Sequence, residues 1–135
     1  MIDVMKRARE IQKRIVLDLQ KTGISVYLDG MPTNEGQQKN RAILILNEVL
    51  KTNTDKGRAI YQARFTIQVF LTTNDYDDVA EMCDNLLNAL SSTWDDGIDF
   101  VLSKEIERIT PHVGAFSGQS IILIDLNVNF YNRRL

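Results

Sequence analysis

Between residues 61 and 71 the chain alternates without a break. Tyr61, Ala63, Phe65, Ile67, Val69 and Leu71 fall on one side; Gln62, Arg64, Thr66 and Gln68 fall on the other. Strict period-two alternation over so long a run predicts a β-strand with one buried face, reaching about residue 73. Upstream the period changes. Val4, Ala8, Ile11, Ile15 and Leu19 recur at spacings of three and four, which predicts an amphipathic helix over residues 2–21, with Lys6, Arg7, Lys13 and Arg14 largely off its apolar stripe. Gly23 stands where a helix end often turns left-handed, and Lys21 suits the negative end of the helix dipole.

A short strand is expected over residues 24–28, with Ile24, Val26 and Leu28 on one side. Residues 30–41, GMPTNEGQQKNR, read as loop by their glycines, proline and amides. Residues 42–50, AILILNEVL, are apolar on both faces in their first half, which predicts a strand that is central in a sheet or covered on both sides. Residues 51–58 read as a hairpin connection. After the long alternating strand, Asn74 or Asp75 caps a second helix, and Asp77, Asp78 and Glu81 lie near its positive end. Val79, Met82, Cys83, Leu86, Leu87 and Leu90 form its stripe. A turn over residues 91–97 leads to a strand beginning with Ile98, Phe100 and Leu102 and continuing to Ile109. Residues 110–119, with one proline and two glycines, read as loop. Residues 121–131 close the chain as a strand with Ile122, Ile124, Leu126, Val128 and Phe130 on one face, before a polar tail.

The order α-β-β-β-α-β-β predicts an α+β two-layer sandwich: a mostly antiparallel sheet with two helices packed on one face. The other face is expected to be polar, carrying Arg64, Gln68, Asn127 and Asn129. Strand order stays open, because the connection through residues 74–97 permits more than one pairing. The length of 135 residues suits a single domain, 1–135.

Charge adds a second pattern. The net charge is −2, but residues 1–22 carry six Lys/Arg against three Asp/Glu, and residues 74–107 carry ten Asp/Glu against one Lys. A solvated acidic face is one reading, and two complementary surfaces that meet between copies of the chain is the other. Lys6, Arg7, Arg9, Lys13 and Arg14 read first as a solvated helix face; they leave room for non-specific contact with DNA, without the aromatic residues that accompany sequence reading. No apolar run reaches the roughly 18 residues of a membrane span, and the N-terminus lacks a secretory signal, so a protein made in the cytoplasm and independent of membranes is expected.

Catalytic chemistry finds little support. His112 is the single histidine; Ser117 lies near it, but GAFSG does not centre serine between the glycines as a nucleophile elbow requires. WDDGID over residues 94–99 lacks calcium-loop spacing and reads as a turn. One cysteine and one histidine cannot make a zinc site, Cys83 sits in an apolar stripe, and no glycine-rich loop opens either helix. No enzyme activity and no cofactor are expected. Met31, Val113 and Phe116 stand among polar residues in the three expected loops, as suits contacts that order on assembly.

The helix MIDVMKRAREIQKRIVLDLQ, the strands AILILNEVL and YQARFTIQVF, the helix DDVAEMCDNLLNAL and the strand SIILIDLNVNF together span nearly the whole chain. In this order and length they resemble the tail terminator, or tail completion, proteins of long-tailed bacteriophages. The resemblance implies a virion protein made in the host cytoplasm that forms a ring, typically a hexamer. Such a ring caps the tail tube, stops its polymerisation and offers a docking face to the head connector. Its partners would be its own copies, the tail tube protein and the head-tail connector protein, with DNA passing through the channel. Arg7, Lys13 and Arg14 on one side, Asp77, Asp78 and Glu81 on the other, and Met31 and Phe116 on loops are the candidate interface residues. A head-tail connector or neck adaptor, and a non-viral interaction domain of ferredoxin-like layout, are the alternatives.

Overall fold

The alternating run becomes the middle strand of a five-stranded sheet. The structure, a computed structural model, describes residues 3–29, 40–55, 58–94, 98–116 and 118–131, with residues 53–55 and 116 described by their backbone alone. Its elements are α1 (Val4–Gln20), β1 (Ser25–Leu28), β2 (Arg41–Asp55), β3 (Arg58–Leu71), α2 (Tyr76–Leu90), β4 (Val101–Phe116) and β5 (Gln119–Tyr131). The strand order is β1-β2-β3-β5-β4.

Three of the four pairings are antiparallel, and β1 with β2 is parallel. That parallel pair departs from the rule of thumb for consecutive strands, because the chain between them is long enough to cross over rather than turn back. β3 and β4 both run antiparallel to β5, so they are parallel to each other. The connection through α2 is therefore a β-α-β crossover with β5 inserted between its two strands, which answers the question of strand order.

Both helices lie on one face. α1 packs on β1, β2 and α2, while α2 packs toward β4. Ala8, Ile11, Ile15 and Leu19 from α1, and Val79, Leu86 and Leu90 from α2, meet Ala63, Phe65, Ile67 and Val69 of β3 and Ile122, Ile124, Leu126, Val128 and Phe130 of β5 in one buried cluster. Each fully buried Val, Leu, Ile or Phe side chain of this cluster contributes about 1.5–3 kcal/mol. A cut at the middle of the cluster, Ile67→Ala, is expected to cost about 2–5 kcal/mol.

Several expected boundaries move. Residues 51–58, expected as a hairpin connection, do join two antiparallel strands, but β2 runs on to Asp55 and β3 begins at Arg58; residues 110–119, expected as loop, are mostly strand, with β4 and β5 forming one long hairpin. The punctuating residues mislead because β4 is an edge strand. Pro111 there loses no ladder partner on its free side, and Gly114 and Gly118 take positive φ at the hairpin end. Ile98 and Phe100 are core residues that precede the strand, which starts at Val101. Of the two proposed caps, Asp75 is the one used. Gly23 has φ 84, as a left-handed helix exit requires.

Bulges explain where alternation fails. β2 slips once between Leu46 and Glu48 and again between Lys51 and Asn53. Ala42, Leu44 and Leu46 therefore face the helices, and after the first slip it is the odd-numbered Val49 that packs against the core. β4 slips between Val101 and Ser103, between Ile106 and Arg108, and between His112 and Phe116.

Candidate assembly surfaces

The sheet face away from the helices is covered by no helix or strand among the described residues. Pairing register sorts it into rows across β2, β3, β5 and β4. Glu48, Arg64, Asn127 and Glu105 make one row, and Leu50, Gln62, Asn129 and Ser103 the next. These rows are tied by side chains. Arg64 donates from Nη1 to Glu48 at 3.2 Å and from Nε to Gln62 at 2.7 Å; Gln62 donates to Asn129 at 3.1 Å and Asn129 to Ser103 at 2.9 Å. In the neighbouring row, Asp125 accepts from Thr66 at 3.3 Å and from Arg108 at 3.0 Å.

Toward the other end the same face is apolar. Ile43, Ile45, Phe70, Ile121 and Leu123 are half-buried and do not belong to the core cluster. The Arg41 guanidinium lies 4.5 Å from the centre of the Phe70 ring. The expectation of a polar face thus holds for Arg64, Gln68, Asn127 and Asn129, but only for part of the surface. The signal for the apolar part lay in AILIL, already read as apolar on both faces, and in SIIL, whose off-phase residues Ile121 and Leu123 the alternation left out. Residues 42–50 are central in the sheet, between β1 and β3, which is one of the two expected situations; among the described residues no helix or strand covers their other face.

The acidic set of candidates is exposed. The Asp75 side chain accepts from the backbone N–H groups of Asp77 (2.8 Å) and Asp78 (3.2 Å), which starts α2 and leaves Asp77, Asp78 and Glu81 exposed beside Tyr76. The basic set divides. Lys13 is exposed and pairs loosely with Glu10 at 3.8 Å. Arg7 is only 11% exposed: it bonds Asp3 at 3.2 Å and its guanidinium sits 4.5 Å from the Phe100 ring centre. Arg14 is half-buried, 4.0 Å from Asp18. Arg7 and Arg14 thus lie less far off the apolar stripe than the spacing predicted, because Phe100 and Asp18 reach up to them. Met31 lies outside the described residues. Phe116 ends β4 opposite Gln119 and is described by its backbone alone.

Sequence reasoning missed a buried polar cluster. Asp18 of α1 is fully buried and accepts the indole N–H of Trp94 at 2.7 Å, with Lys21 at 3.5 Å. Lys104 of β4 lies 4.2 Å from the Trp94 ring centre and donates to the carbonyls of Leu90 (3.1 Å) and Ser92, at the C-terminal end of α2 where the helix dipole favours a cation. Burial pushes the Lys104 ammonium below its ordinary pKa; Asp18 opposes this, and Arg14 and Lys21 add to it. Asp18 and Trp94 are 76 positions apart, so no local pattern could pair them. Burial, then the Asp84 carboxylate, raises the Cys83 thiol.

His112 is exposed on β4, and Ser117 lies outside the described residues. No group of three or more His, Cys, Asp or Glu suited to a metal ion occurs among the described residues. No helix among them is long and apolar enough to cross a membrane.

No protein-family model matches this chain, and no curated protein matches it in sequence. Its fold does match solved structures. One is a protein described as part of the virion of a native gene transfer agent particle: TM-score 0.60 at 15% identity, covering 84% of this chain and 84% of that chain. A second solved structure gives TM-score 0.57 at 14% identity over 93% of this chain and 94% of that one. At such identities the likeness is one of fold.

Proposed function

We propose that the protein is a structural component of a phage-like virion, and that within it the protein acts as a tail terminator: a ring of copies that caps the tail tube, ends its growth and offers the surface to which the head joins. The observation that carries this reading is the fold likeness to a protein of a gene transfer agent virion, at matching coverage of both chains. The surface agrees with it. A sheet with an uncovered, partly apolar face suits a chain whose neighbours complete its burial. The exposed acidic turn of α2 and the exposed Lys13 supply opposite signs for head-to-tail contact.

The test is polymerisation of tail tube subunits with and without the purified protein, read by electron microscopy. Tubes that stop at a defined length and carry extra density at one end are the expected result. Tubes of unchanged length, with the protein bound instead to head connectors, would replace the terminator role with that of a neck adaptor. Binding to neither would remove the virion reading.

A further inference from the structure

A groove of about 440 Å3 lies between α1 and β1, at the edge of the sheet. Val16, Leu17, Val26 and Leu28 make its apolar lining, and Arg9 and Lys13 bring positive charge to it. Leu17 is 56% exposed, unusual for a leucine beside a core. No residue of α2 lines the groove. On α2, Tyr76 is 76% exposed and stands among Asp75, Asp77 and Asp78.

We infer that this groove receives Tyr76 from a second copy of the chain, with the carboxylates of Asp77, Asp78 and Glu81 set against Arg9 and Lys13. The inference rests on the ring reading above and names its contact. Three features select a second copy as the occupant. The groove is apolar with a cationic margin, and its complement, an aromatic ring with an anionic margin, is carried by the same chain. Interfaces draw most of their binding energy from such aromatic anchors seated in pockets, with charge around them setting register. The volume agrees, since pockets of ~300 Å3 and above hold a ring-sized ligand. Groove and knob also lie on different elements, α1–β1 and α2, so the contact need not be reciprocal within one pair and can run head to tail. Every copy gives one and receives one, and the chain of contacts closes into a ring where the rotation allows.

The experiment uses the full chain with Cys83→Ala, to which Leu17→Cys and Tyr76→Cys are added in separate preparations. The two are mixed under assembling conditions and oxidised. Disulfide-linked dimers containing one of each variant, in excess over either homodimer, are expected. Predominance of either homodimer would overturn the inference, because it would mean a face-to-face contact. Lys13→Glu and Asp77→Lys serve as a second arm, read by sedimentation. Each alone is expected to weaken association about tenfold; Lys13→Glu should leave the melting curve unchanged, whereas Asp77→Lys should lower it slightly because it sets a cation at the positive end of α2. An equal mixture is expected to recover association, since each altered margin then meets its complement. Should the wild-type protein form rings while both charge variants form them equally well, the groove contact is wrong and the ring reading stands. Should the wild-type protein remain monomeric even with tail tubes present, both fall together.

Discussion

Asp18 shows how far a single side chain can set the terms of a fold. Its carboxylate is out of water, accepts the Trp94 indole N–H, and has Arg14 and Lys21 within 4.0 Å. Removing it strands a buried donor and takes a carboxylate away from Arg14 and Lys21. Asp18→Ala is expected to lower unfolding free energy by about 3 kcal/mol in urea titration. Asp18→Asn keeps an acceptor for the indole and should lose less; equal losses would show that charge alone matters there. Cys83 makes a pH prediction. Its thiol is raised from the ordinary value of 9.0 by burial, with Asp84 adding. Between the unfolded and folded values the folded chain keeps a proton that the unfolded chain has lost. The contribution to stability is therefore full below about pH 9 and declines as pH rises through the folded value. Iodoacetamide labelling should reach half its maximal rate at higher pH in the folded protein than in the urea-unfolded chain.

At the scale of the element, α2 depends on its first turn. Asp75→Ala removes the acceptor for two backbone N–H groups and is expected to cost about 1 kcal/mol, while Asp75→Ser should be close to neutral by thermal melting. This cap was readable from sequence because capping is local: the acceptor and its donors are two and three residues apart. β3 was readable for a similar reason, since its pairing with β5 runs in unbroken register from Ile60 to Leu71 and period two survives along it. β4 was not. Two slips place Val101, Lys104, Ile106 and Ile109 on the helix side, at spacings of three, two and three that spell neither strand nor helix. A lysine on the helix side obscures the pattern further, and its presence is explained by partners outside the strand, the carbonyls of Leu90 and Ser92 and the Trp94 ring. The parallel β1–β2 pair is likewise a product of tertiary packing.

For the whole molecule, the proposed ring could be joined through either of two surfaces of different chemistry. The half-apolar sheet face would associate by burying Ile43, Ile45, Phe70, Ile121 and Leu123. The α1–β1 groove would associate by burying Tyr76 within opposed charges. The separation of charge along the sequence pointed toward the second. It did not single out the residues, because Arg7 and Arg14 are taken up by packing within the fold while Arg9 and Lys13 stay at the surface. Salt separates the two mechanisms. Between 0.01 M and 1 M ionic strength the screening length falls from about 30 Å to about 3 Å, so contacts steered by exposed charges weaken. Association through the bare sheet face is instead unchanged or strengthened by salts that favour apolar burial. Sedimentation across a sodium chloride series is expected to show association falling by about tenfold and then levelling at the remainder that Tyr76 supplies in the groove. A rise with salt would assign the joint to the sheet face, and the acidic turn of α2 would then be free to meet a different protein.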